Sequence, residues 1–274
     1  MGNSSLAKRI VTSLLILTLV ALVIFFFPNW VFALLASTMI GLALKEFFAL
    51  AEKKGIIVYK YFGIGIGMLI PVIMFLQKGI EGYFTLDPFF IVIACLFTFV
   101  LQFVRRDSSQ AIASIAVTLF GLLYIAWLFS FFVKLKFMPG GALLVSFVVL
   151  VTKMGDVGAY FVGNAFGKHN LIPRISPHKT VEGTIGGLFF SIAAAVLSGF
   201  YLPSLPIGHL VVLGILLGIL AQVGDLAESL LKRDCGVKDS GSTLSGFGGM
   251  LDLIDSLLFT TPIFYFYMEV VMKR

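Results

Sequence analysis

The chain has 274 residues, of which 59% are hydrophobic and only 12% charged. A soluble domain carries roughly 25% charged residues, so a water-solvated globule is excluded and a polytopic membrane protein is expected. The net charge of +6 fits anionic headgroups and cytoplasmic loops rather than nucleic acid, and the two distant cysteines, Cys95 and Cys235, make no disulfide framework.

A span takes about 20 mostly apolar residues. Nine segments qualify: 10–27, 30–50, 62–77, 88–104, 110–133, 141–162, 184–202, 208–231 and 251–271. The first follows Lys8-Arg9 but is too long for a signal-peptide core, and reads as an uncleaved span. The third and fourth are short enough to be tilted or partly re-entrant. The sixth contains Lys153 and Asp156, so its C-terminal half faces away from lipid. With the N-terminus in the cytoplasm, 15 Lys and Arg residues fall inside and 5 outside, as the positive-inside rule requires. The expected fold class is therefore all-α, with about nine transmembrane helices and a cytoplasmic N-terminus. The charged loops 163–183 and 232–250 then lie in the cytoplasm, where nucleotides are found. The small size favours a bacterial inner (plasma) membrane.

The halves differ in acidity. The first 150 residues hold five carboxylates and the last 124 hold nine. Residues 1–140 thus read as a transmembrane scaffold and 141–274 as the catalytic region. The stretch GDLAESLLKRDCGVKDSGSTLSGFGGMLDLIDS, between two apolar spans, concentrates this charge. An ionised group at mid-membrane costs roughly 2.5–3.5 kcal/mol on insertion scales, so this density needs a cation, a phosphate or a water-filled cavity. Asp252 and Asp255 are spaced i, i+3, and Asp225 and Glu228 repeat that spacing. Converging oxygen donors suit Mg²⁺, and no Cys/His cluster points to zinc or iron. The plainer alternative is ion pairing with Lys232, Arg233 and Lys238, with Glu228 and Lys232 forming an ordinary i, i+4 pair. In Ser176-Pro-His-Lys-Thr-Val-Glu-Gly183, Lys179 stands before a Gly-opened helix, either as a point charge for phosphate or as a positive-inside anchor. Asp156 either lines a cavity or pairs with Lys153. The glycines Gly246, Gly248 and Gly249 permit close backbone approach to a ligand or merely a re-entry turn.

The run from Ser229 to Asp255 resembles the signature of the phosphatidate cytidylyltransferase family, the CDP-diacylglycerol synthases. The matching positions are Ser229, Lys232-Arg233, Lys238-Asp239, Gly241, Gly246, Gly248-Gly249, Asp252 and Asp255. GDLAES at 224–229, SPHKTVEG at 176–183 and GDVGAY at 155–160 followed by FGKH are similar to further family segments. Phe247 stands where the family pattern has His, and Leu253 where it has Arg. The N-terminal half agrees only in hydropathy. The resemblance implies attack of a phosphatidate oxygen on the α-phosphorus of CTP, forming CDP-diacylglycerol and pyrophosphate. It implies that Asp225, Asp252 and Asp255 hold Mg²⁺, alone or with a second cation. Lys179, Lys232, Arg233 and Lys238 would neutralise phosphates, and Asp239 would orient a cation or a ribose. Asp156, Ser176, Thr180 and the backbone at Gly246, Gly248 and Gly249 would contact substrate. Phosphatidate would enter from the membrane lipids, its acyl chains between helices, and a homodimer is expected. The competing readings are a CTP-dependent kinase of a polyprenol or related lipid, a proton- or ion-coupled transporter, and a non-catalytic membrane protein.

Overall fold

The structure, a computed structural model, describes residues 18–77, 87–202, 205–241 and 248–272. It is almost entirely helical. Helix α1 covers 18–25, followed by α2 (Asn29–Lys53), α3 (Lys60–Leu76), α4 (Asp87–Val104) and α5 (Ala111–Gly121). A π-helical turn, Leu122–Trp127, continues α5 into α6 (Leu128–Phe137). Then come α7 (Gly141–Phe166), strands β1 (Asn170–Ile172) and β2 (Ser176–Thr180), α8 (Val181–Leu197), α9 (Ile207–Asp234) and α10 (Met250–Met272). Among the described residues, six helices are long and apolar enough to cross a membrane, and Lys60–Leu76 and Phe89–Val104 are shorter apolar helices. Residues 10–17 of the expected first span lie outside the described residues.

Two expected loops are more ordered than the sequence implied. The first, 163–183, holds the last turn of α7, an antiparallel hairpin pairing Asn170 with Thr180 and Ile172 with Ser176, and the start of α8. In the second, α9 runs on to Asp234, so Lys232 and Arg233 sit in its last turn, where cations favour the helix dipole.

Two compact units divide the chain: Met1–Phe137 with Cys235–Leu253, and Met138–Asp234 with Ile254–Arg274. The first is built on α2. Ala36, Ile40, Ala43, Phe47 and Leu50 are all buried there, at the three- and four-residue spacing of one helical face. Gly67 on α3 lies against Leu44 and Ala126, and the Ser37 hydroxyl donates to the Met68 carbonyl at 2.7 Å.

The second unit is organised by small residues. Gly155, Ala159 and Gly163 recur every fourth residue on α7, as do Gly183, Gly187 and Ser191 on α8. A Cβ on Gly187 would lie 2.8 Å from the Gly155 carbonyl oxygen, and one on Gly183 would lie 2.9 Å from that of Ala159. The helices therefore pack backbone to backbone, which in a bilayer replaces the missing hydrophobic drive for association. Gly224 extends the pattern on α9: its Cβ would meet the Asp255 carbonyl oxygen at 2.6 Å. That close approach brings the start of the acidic stretch of α9 against α10.

Candidate active site

Asp225, Glu228 and Asp255 converge in the second unit. One oxygen from each carboxylate lies within 4.8 Å of the others. Asp225 and Glu228 are one turn apart on α9, and the Gly224 contact lets α10 bring Asp255 alongside. Glu228 is 1% exposed and Asp255 6%, depths at which carboxylates need compensating charge.

That charge comes from lysines. Lys179, next to last in β2, forms an ion pair with Asp225. Lys232 pairs with Glu228 at 2.5 Å, one helical turn along. Lys153 on α7 meets Asp156 at 3.0 Å and the Ser256 hydroxyl at 3.1 Å, and the Ser256 N–H donates to Asp255 at 2.5 Å. Ser256 thus joins the Lys153–Asp156 pair to the acidic cluster. Four carboxylates thus face three ammonium groups.

Local structure explains how the hairpin delivers Lys179. Thr180 is the N-cap of α8, its hydroxyl accepting the Gly183 N–H at 3.1 Å. Glu182, in the first turn, accepts from the backbone N–H groups of Lys168 and His169 at 3.1 and 3.2 Å, tying the base of the hairpin to the helix. The Arg233 Nε–H donates to the Ile175 carbonyl at 3.2 Å, fixing the hairpin turn to α9. Ser176 opens β2, where it is half-buried.

The other expected site residues lie in the first unit. Asp252 accepts from the Gly249 N–H at 2.7 Å and from the Ser240 hydroxyl at 2.8 Å and N–H at 3.3 Å. It is the third residue of α10 and reaches back to the residue before the helix, as in a capping box. Glu46 on α2, 5% exposed, accepts from the N–H groups of Met250 at 3.0 Å and Leu251 at 2.9 Å. Its carboxylate also lies 3.3 Å from the Ser240 hydroxyl. Gly248 adopts φ +91, a left-handed turn that glycine makes without strain. Lys238 and Asp239 are exposed. Gly246 and Phe247 fall outside the described residues.

The structure therefore brings Asp225, Asp255, Lys179 and Lys232 together with Glu228, which the sequence offered both as an oxygen donor spaced from Asp225 and as an i, i+4 partner of Lys232, and which holds both places. It gives Asp252 partners in the turn before α10. Lys153 and Glu46 were outside the expected site set. Lys153 carried a signal, as a lysine deep in an apolar span beside Asp156; Glu46 carried only its own charge within an apolar helix.

The donor set fits a hard divalent cation. It consists of three carboxylates without His or Cys, matching the oxygen preference of Mg²⁺-type ions. The neighbouring lysines show that the fold already answers this acidity with positive charge.

Residues 7–271 match the model of the cytidylyltransferase family. The phosphatidate cytidylyltransferase of Synechocystis sp. is 32% identical over 273 residues, covering 89% of this chain and 90% of the relative. That of Chlamydia pneumoniae is 31% identical over 294 aligned positions, covering 98% and 94%. An uncharacterized protein of Escherichia coli K12, YnbB, is 40% identical over 153 residues, 56% of this chain and 51% of the relative. With nearly all of its residues matched by the family model, this chain belongs to the cytidylyltransferase family.

Proposed function

We infer that the chain is a phosphatidate cytidylyltransferase, a nucleotidyltransferase of phospholipid biosynthesis that converts CTP and phosphatidate to CDP-diacylglycerol and pyrophosphate. The observation that carries this reading is the lysine-countered carboxylate cluster in a multi-pass membrane chain of this family. Both substrates bring phosphates, and phosphoryl and nucleotidyl transfers depend on positioning and charge neutralisation more than on covalent work by the protein. A phosphatidate oxygen forms a bond to the α-phosphorus as the bond to the bridging oxygen breaks, and pyrophosphate leaves with that electron pair. The attacking phosphate is ionised near neutral pH, so no strong general base is needed.

Asp225, Glu228 and Asp255 are assigned to hold Mg²⁺, in one or two positions. When bound, the cation supplies Lewis-acid neutralisation of phosphate charge. Lys179 can exchange the Asp225 carboxylate for a phosphate oxygen, because its stem is flexible and its ammonium acts as a point charge. Lys232, paired with Glu228, and Arg233, bonded to the hairpin turn at Ile175, add positive charge in the last turn of α9. Asp156 keeps Lys153 in place, and Ser176 and Thr180 shape the hairpin that presents Lys179. For Lys238, Asp239, Gly246, Gly248 and Gly249, the support for nucleotide contact is the family spacing alone. Asp252, placed with the cation on that spacing, is assigned instead to organising its turn, given its bonds to Gly249 and Ser240.

The proposal of nine crossings takes the six long helices and the two shorter apolar ones together with the apolar sequence 10–27. With the positive-inside count, this supports a cytoplasmic N-terminus and an active site on the cytoplasmic face of a bacterial plasma membrane. Residues 141–274 carry the chemistry and 1–140 support it. Phosphatidate arrives from the surrounding lipids, and the working form is a homodimer, an expectation carried by the family.

The test is reconstitution in liposomes with phosphatidate and CTP labelled at either the α- or the γ-phosphate. Label from the α-position alone, appearing in lipid only when phosphatidate is present, is the expected result. Transfer of γ-label would establish a lipid kinase instead, and no transfer of either would leave a non-catalytic protein.

A further inference from the structure

The first unit contains a buried carboxylate that the proposed chemistry does not use. Glu46 lies on α2, within residues that otherwise support the fold, and its partners include Ser240, Met250 and Leu251, about 200 residues away in sequence. Helix N-termini leave their first N–H groups without intrahelical partners. The residue before α10 is Gly249, which has no side chain with which to cap. Glu46 fills that role from another helix, taking the N–H groups of Met250 and Leu251, while Asp252 takes that of Gly249. The space around it is cut to fit. A Cβ on Gly241 would lie 2.7 Å from Glu46 Oε1 and 2.8 Å from its Cδ, and a Cβ on Gly249 would also strike the carboxylate. Two glycines and a serine of the signature stretch therefore close around one carboxylate from α2.

We propose that Glu46 is a positioning residue of the transferase, holding Ser240 and Gly241 against Gly249, Met250 and Leu251 at the start of α10, where the signature stretch is assigned to meet the nucleotide. This rests on the cytidylyltransferase reading, but the contact itself is independent of it. Charge-assisted bonds to buried N–H groups are the strong kind, and removing the acceptor leaves two buried donors unsatisfied. The proposal makes Gly241 a consequence of Glu46: an alanine methyl there displaces the carboxylate, and is harmless once the carboxylate is gone.

The experiment measures KM for CTP and for phosphatidate, thermal stability, and hydrogen exchange at amides 249–251 in the full chain, for the parent protein, E46A, E46Q, G241A and E46A/G241A. E46A is expected to raise KM for CTP by about tenfold, equivalent to about 1.4 kcal/mol, while KM for phosphatidate stays at the parental value. E46Q, which keeps one acceptor, falls between the parent and E46A. G241A resembles E46A, and the double variant is no worse than E46A alone. Exchange at 250 and 251 accelerates in each, while the Gly249 amide, held by Asp252, is the internal reference. If E46A fails to fold, G241A reads the same displacement with the carboxylate still present. Parental KM for CTP in the variants that fold overturns the proposal, as does additivity of the two substitutions. An inactive parent defeats the proposed function instead, and exchange then decides the contact: parental protection of amides 250 and 251 in E46A or G241A overturns it.

Discussion

Asp225 and Glu228 are answered directly by lysine side chains and Asp255 by Ser256, whose hydroxyl in turn meets Lys153, whereas Glu46 and Asp252 are answered by backbone N–H groups at the start of α10 and one serine. Glu228 and Asp255 in the first set and Glu46 in the second are buried, and Asp225 and Asp252 are half-buried, so both sets depend on close partners. The kind of partner decides what each set can do. An ammonium on a four-carbon stem can leave a carboxylate for a phosphate, and the vacated oxygen can take a cation. A backbone amide at the start of a helix has no such freedom, so a carboxylate bonded to it is committed to structure. The first set is suited to exchange during a reaction, and the second to holding a turn still.

The comparison breaks most visibly if Asp255 proves dispensable. D255N preserves shape but removes the charge that the cluster needs. We expect kcat to fall by about 100-fold or more, the loss typical when a preorganised electrostatic partner is removed. Radiolabelled CTP in phosphatidate liposomes measures it. A parental rate would place the cation elsewhere.

Lys179 comes next. K179A should lower kcat/KM by about tenfold, the cost of roughly 1.4 kcal/mol of phosphate contact. It should also tighten Mn²⁺ binding in the absence of substrate, because Lys179 and a cation compete for Asp225. Electron paramagnetic resonance of free Mn²⁺ reads that directly. Weaker Mn²⁺ binding would show that the lysine helps build the site rather than competing within it.

D252N separates the two sets. Its bonds to Gly249 and Ser240 give a capping role, and loss of a cap typically costs about 1 kcal/mol of stability. The expected result is a lowered thermal midpoint, a smaller loss of kcat than in D255N, and parental Mn²⁺ affinity. Loss of Mn²⁺ binding equal to that in D255N would return Asp252 to the cation set.

Much of the exchange-capable set was legible in the sequence, and little of the fixed set was. Asp225 and Asp255 stand out because charge is rare in this chain, and their spacing from Glu228 and Asp252 matches a helical turn. Lys179 was visible through the Pro-bounded loop before a Gly-opened helix. Glu46 was not visible, because capping by a distant residue leaves no local spacing to read; its partners are set by packing of α2 and not by periodicity. The β hairpin was hidden for a related reason. The segment 163–183 read as a charged loop, while pairing Ile172 with Ser176 requires only a short strand on either side. The long helices were the easiest, since length and apolarity alone define them; the small-residue seam of α7 and α8 became meaningful only when Gly155 was found against Gly187.

Asp107 supplies the smallest effect and a baseline for the other two sets. It lies in the turn between α4 and α5, its side chain 62% exposed, and accepts from the Ser109 N–H at 2.8 Å and hydroxyl at 2.5 Å, with Arg105 at 3.4 Å. Those Ser109 bonds, aided by Arg105, hold its pKa below the ordinary carboxylate value. A depressed pKa contributes stability that is complete above the unfolded value, about 3.9, and is lost as pH falls through the lower folded value. D107N should therefore leave transferase activity unchanged and lower the thermal midpoint slightly, by the same amount from pH 8 to about pH 5. The gap should close only below about pH 4. Solvent screening keeps such a contribution small, which is why a carboxylate held by its own turn sets the floor against which Glu46, held across 200 residues of sequence, is to be measured. A midpoint difference that vanished between pH 8 and pH 5 would show that Asp107 senses a group other than Ser109 and Arg105.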